Sequence, residues 1–80
     1  GLEIIAEDVT NKGRIDLTIK IENNIYIFEF KMKDNKDPLQ QIKDREYYVK
    51  YQQTQKNIYL IGVEFDENER NITSFEWERV

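Results

Sequence analysis

Polar and apolar residues alternate most regularly over Arg14-Ile15-Asp16-Leu17-Thr18-Ile19-Lys20-Ile21. Period-two alternation of this kind is the mark of a β-strand with one face buried. A strand-like run also covers residues 2–10, with Asn11-Lys12-Gly13 as a turn before the alternating segment. Asn23-Asn24 suits a tight hairpin turn, because Asn tolerates the left-handed backbone conformation. Ile25 to Met32 then reads as a third strand, followed by a polar loop over residues 34–37. Asp37-Pro38 supplies an N-cap followed by proline at the first helical position. The pattern predicts a helix from there to about Gln53, with Leu39, Ile42 and Val49 on one side. Asn57 to Phe65 is apolar nearly throughout, as in a central strand covered on both faces. After a turn at Asp66–Glu69, residues 71–79 read as an edge-like last strand.

The predicted order of elements is therefore βββαββ, an α/β domain built on a mixed five-stranded sheet. A helical crossover makes the fourth strand parallel to the third. One helix covers one sheet face, so the other face is expected to meet a segment outside these residues or a second copy of the chain. The chain opens at Gly1 with a strand at once, and the expectation is a single-domain fragment, residues 1–80, forming the C-terminal part of a longer protein.

The hydrophobic pattern also sets a register. With Asn23-Asn24 as the two-residue turn, Asp16 is predicted opposite Lys31 and Thr18 opposite Glu29. Ile15, Leu17, Ile19 and Ile21 then share a face with Tyr26, Phe28, Phe30 and Met32. The opposite face gathers Asp16, Glu29 and Lys31, since opposed side chains lie ~5 Å apart and diagonal ones ~7–8 Å. Two carboxylates so placed suit a hard divalent cation, with the backbone carbonyl of Phe30 and water completing an oxygen shell. Lys31 could orient an attacking water or offset charge on a phosphate. The same residues also read as an exposed cross-strand ion pair, worth ~0–1 kcal/mol. Ile25 and Ile27 share that face, however, and partly covered charges need a partner or a metal.

Composition narrows the chemistry. The chain has no Cys and no His, which excludes disulfides, thiolate metal sites and any Ser–His or Cys–His nucleophile, and leaves oxygen ligands for Mg²⁺, Mn²⁺ or Ca²⁺ if a metal is bound. Net charge is −4, yet residues 12–56 carry ten basic and seven acidic side chains, so the middle of the chain could meet phosphate while the acidic flanks are solvated. No apolar stretch reaches the ~20 residues of a membrane span. With no leader-like segment, the location expected is cytoplasmic. Tyr47, Tyr48 and Tyr51 could stack on bases, but their helical spacing suits packing at the edge of the core better. Trp77 is expected to pack against the sheet, and Gly62 to permit close helix approach or mark a bulge.

Gly13-Arg14-Ile15-Asp16-Leu17, Ile25 to Lys31, Gln41-Ile42 with Tyr47 and Tyr51, Ile58 to Phe65 and Arg70-Asn71-Ile72 together resemble a PD-(D/E)XK nuclease-like domain over essentially the whole chain. More narrowly, the resemblance is to the branch found C-terminal to an AAA-type ATPase-like domain in bacterial proteins. It implies a restriction-endonuclease-like fold and a Mg²⁺- or Mn²⁺-dependent phosphodiesterase acting on DNA. Asp16 and Glu29 would be metal ligands, Lys31 the catalytic lysine, and Gln41 a helical residue reaching the same site, like the glutamine of RecB-like members. Ile15 stands where the family name places Pro. The first core helix of the family, which often carries an acidic residue of the site, is missing from these 80 residues, and Glu7 is a candidate further carboxylate. Members of the superfamily have lost catalysis while keeping the fold. The alternative implied is thus a catalytically inactive interaction or regulatory module of an ATPase-like protein.

Overall fold

A computed structural model describes residues 1–33 and 37–80; most of the polar loop expected at 34–37 lies outside the described residues. Five strands form one mixed sheet in sequential order: β1 (Leu2–Thr10), β2 (Gly13–Ile21), β3 (Asn24–Met32), β4 (Asn57–Asp66) and β5 (Asn71–Arg79). Neighbours pair antiparallel except β3 and β4, which run parallel. That parallel pair requires a crossover. Two short helices supply it, α1 (Pro38–Asp44) and α2 (Val49–Gln52).

α1 starts where the sequence says it should. The Asp37 carboxylate accepts hydrogen bonds from the backbone N–H groups of Leu39 and Gln40, and Pro38 occupies the first turn. The single helix expected to run to Gln53 is broken instead. Glu46 takes a positive φ of 52°, and the Tyr47 N–H reaches back to the Ile42 carbonyl. The break turns Tyr47 and Tyr51 into the core beside Ile42, whereas Val49, expected on the buried side, is 48% exposed. Tyrosine packing thus outweighs helix continuity.

The core lies between these helices and one sheet face, centred on Ile15, Ile25, Ile27, Ile58 and Leu60. Burial alternates along β3, where Ile25, Ile27 and Glu29 are covered and Phe30 is exposed. β4 is covered most fully, with Ile61 and Val63 buried as well as Leu60. The opposite sheet face is apolar and open: Ile4, Ile21, Phe30, Met32, Phe75 and Trp77 remain 40–61% exposed. Trp77 was expected to pack down on the sheet, but it only tilts against Tyr59, at 6.0 Å between ring centroids.

The predicted β2–β3 register is two residues out. Ile21 pairs with Asn24 and Thr18 with Ile27, so the turn is Glu22-Asn23 and Glu22 takes the positive φ, at 52°. Asp16 therefore does not oppose Lys31, nor Thr18 Glu29. A slip of two preserves side-chain direction over the paired residues, but alternation fails beyond Leu17. Ile15, expected on the face of Leu17, Ile19 and Ile21, is buried in the core with Ile25 and Ile27 instead, because β2 leaves the ladder there.

Candidate functional site

β2 and β3 part company beyond the Leu17–Phe28 pair, the last of their ladder. Asp16 sits at that parting. Its Oδ2 accepts from the Phe30 N–H at 2.9 Å, replacing the ladder bond that a regular hairpin would make. Continuing the register past Leu17 brings Asp16 level with Glu29.

Glu29 is the buried member, 3% exposed. Its Oε2 accepts from Gln41 Nε2 at 3.0 Å and lies 3.5 Å from the Lys31 ammonium. Its Oε1 is buried without a hydrogen-bond partner. Burial pushes the Glu29 carboxyl up to about 7, and the nearby Asp16 pushes the same way; Lys31 pulls back without winning. At neutral pH the group therefore stands between its charged and neutral forms.

The four expected side chains meet here, delivered by three devices: Asp16 by the strand parting, Glu29 and Lys31 by alternation on β3, Gln41 by the first turns of α1. Phe30 contributes its N–H to Asp16. Glu7 stays outside, exposed and paired with Arg14 at 3.2 Å. Tyr47 and Tyr51 are core residues and offer no stacking surface. Among the described residues no group of three or more His, Cys, Asp or Glu converges as a ready metal cage; the carboxylates brought together are Asp16 and Glu29.

A second buried acid escaped the sequence. Asp8, 4% exposed, accepts hydrogen bonds from Thr18, Lys50 and Tyr51. Burial pushes its carboxyl up, but these donors more than offset it and hold it below the ordinary carboxylate range. Burial and the neighbouring Asp8 in turn raise the Tyr51 hydroxyl. Simple alternation gives no hint of this cluster, because Glu7 adopts a positive φ of 53° next to it.

A mixed sheet presenting Asp on one strand and Glu-x-Lys on the next, under a crossover helix, is the arrangement of a nuclease-like α/β domain. The chain belongs to the PD-(D/E)XK nuclease superfamily, whose family model matches residues 1–75. It is also 40% identical over 78 residues to an uncharacterized protein of the vnfD 5′ region of Azotobacter chroococcum mcd 1. That match covers 94% of this chain and 15% of the relative, so the chain spans a small part of the curated protein it resembles. Nucleases of the superfamily generally use divalent metals. No helix among the described residues is long and apolar enough to cross a membrane.

Proposed function

We propose that this domain is a Mg²⁺- or Mn²⁺-dependent nuclease that hydrolyses DNA phosphodiester bonds. The observation that carries the reading is the orphaned Oε1 of Glu29, a buried carboxylate oxygen with no donor beside a second carboxylate, Asp16. Leaving such an atom bare costs ~1–3 kcal/mol or more, and a cation is the partner that two converging acids fit. Asp16, Glu29 and the carbonyl of Phe30 would hold it, with water filling the remaining positions as Mg²⁺ prefers. A cation there would supply charge stabilisation to the scissile phosphate and a lowered pKa to water. Gln41 keeps Oε2 oriented. Lys31 sets an ammonium beside the carboxylate, where it offsets negative charge on the phosphate and holds the attacking water by donating to it.

Titrating the chain with Mg²⁺ while following backbone NMR shifts tests the site. Perturbation is expected to centre on Asp16, Glu29 and Phe30, and a flat response to millimolar metal would remove it. A second reading, a nuclease fold without catalysis that serves as an interaction or regulatory module, is favoured by the absence of a three-ligand group among the described residues. It predicts that Glu29→Ala and Lys31→Ala leave the activity of the parent protein unchanged.

The setting proposed for the domain is a cytoplasmic protein that also carries an AAA-type ATPase-like part; the length of the relative leaves ample room for one. Self-association through the open sheet face belongs to the same proposal. The six exposed side chains named above offer on the order of 600 Å² of apolar surface, close to the ~800 Å² per partner of a standard interface. Sedimentation at several concentrations, giving a monomer throughout, would remove this part.

A further inference from the structure

Nothing in its backbone calls for glycine at position 62. Gly62 lies inside β4 without a positive φ; that conformation belongs to Gly13. Glycine in a strand interior weakens the strand, so the reason must lie in space. Gly62 is the register partner of Glu29 on the neighbouring parallel strand. A Cβ at this position would stand 2.5 Å from the Leu39 backbone N and 3.0 Å from Leu39 Cα and Cβ. These are atoms of the first turn of α1, and no rotamer change can move the backbone ones away. The helix would have to lift, by about 0.9 Å along that direction to reach an ordinary 3.4 Å contact.

Gln41 follows Leu39 by two residues, and its amide spans 3.0 Å to Glu29 Oε2. A lift of that size stretches the contact past the reach of a hydrogen bond. We infer that Gly62 is a positioning residue of the site: its missing side chain sets the height of α1 above the sheet, and thereby the Gln41–Glu29 hydrogen bond. The inference rests on the reading of Glu29 as a metal ligand. Groups that orient a ligating carboxylate typically change metal affinity 10–100-fold when removed.

The test compares Gly62→Ala, Gln41→Ala and the double variant in the full chain, with Mn²⁺ as probe. Metal-free ¹⁵N spectra report the Gln41 side-chain amide, and Mn²⁺ affinity is read from paramagnetic broadening. Gly62→Ala is expected to move the Gln41 amide resonances to solvent-like positions. Each single variant is expected to weaken Mn²⁺ about 10-fold, and the double variant no further, because both remove one contact. An unmoved Gln41 amide, or losses that multiply in the double variant, would overturn the inference. Gln41→Asn guards against a Gly62→Ala chain that does not fold. One methylene shorter, it should lose as much affinity as Gln41→Ala if the helix height is fixed, and wild-type affinity would show a slack helix and sink the idea. A wild-type chain that ignores Mn²⁺ refutes the metal site instead, while the metal-free amide spectra still decide the role of Gly62.

Discussion

Asp8 and Glu29 are buried to nearly the same degree, 4% and 3% exposed, yet the protein treats them in opposite ways. Asp8 has both oxygens engaged, one by Lys50 and the other by Thr18 and Tyr51, and its carboxyl is held below the usual range. Glu29 has one oxygen engaged and one bare, and its carboxyl is raised to about 7. Burial is the first cause acting on both; the number of donors decides the sign. A satisfied buried acid ties β1 to the helices. An unsatisfied one is a place where folding energy has been left unspent, which is what a binding site requires.

Removing the satisfied acid should therefore hurt most. Asp8→Ala strands two buried hydroxyls, of Thr18 and Tyr51, at ~1–3 kcal/mol each. The expected loss is about 3–4 kcal/mol in urea unfolding at pH 7. A loss below about 1 kcal/mol would mean that the cluster is not a tie, and the comparison would fail.

Neutralising the unsatisfied acid should do the reverse. A folded-state value raised from 4.5 to about 7 means that Glu29 favours folding below pH 4.5 and that this contribution is lost as pH rises through 7. At ~1.4 kcal/mol per pH unit the cost at pH 8 is on the order of 3 kcal/mol. Glu29→Gln is thus expected to stabilise the metal-free chain by roughly 2–3 kcal/mol at pH 8 and by almost nothing at pH 4. Asp8 has the opposite sign, since its stabilisation is present above the ordinary carboxylate range and disappears as pH falls through its lowered value. Equal destabilisation by Glu29→Gln at both pH values would show that Glu29 is held as firmly as Asp8.

A finer test lies in Lys31. Its charge lowers the Glu29 value against burial and Asp16. Lys31→Met should raise the midpoint of Glu29 above about 7, by on the order of one pH unit, in a ¹³C carboxyl titration. An unmoved midpoint would leave burial and Asp16 as the whole cause and remove Lys31 from the electrostatics of the site.

How much of this could be read beforehand differs between the two regions for a physical reason. In the Glu29 site, Glu29 and Lys31 follow from alternation on β3, whereas Asp16 reaches them where β2 leaves the ladder and Ile15 turns into the core. The two-residue slip of the β2–β3 hairpin altered which residues oppose one another but left the gathering intact. Gln41 came from resemblance alone, because no periodicity says how far a helix stands from a sheet. The Asp8 cluster also depends on a break in alternation. Glu7 bends to φ 53°, and no residue type in Ala6-Glu7-Asp8-Val9 announces it. Two of the donors to Asp8, Lys50 and Tyr51, sit in or beside the segment where the expected continuous helix is interrupted. Irregular backbone at non-glycine residues is where sequence patterns carry least information.

That interruption gives the smallest and sharpest prediction. Glu46 holds φ at 52° between α1 and α2, a conformation that costs a side-chain-bearing residue ~1 kcal/mol or so relative to glycine. The strain persists because it turns Tyr47 and Tyr51 inward, and Tyr51 in turn reaches Asp8. Glu46→Gly relieves the strain but frees the unfolded chain and loses the weak Lys12–Glu46 pair, 3.9 Å apart at the surface. The net expectation is a gain of about 0.5 kcal/mol with Mn²⁺ affinity unchanged, because Gln41 lies before the break. Glu46→Ala loses the same surface pair and keeps the strain, so it should not gain. If Glu46→Gly instead destabilised the chain by 1 kcal/mol or more, the left-handed residue would not be a strained hinge. The tie through Asp8 would then need another explanation than a helix bent to deliver its tyrosine.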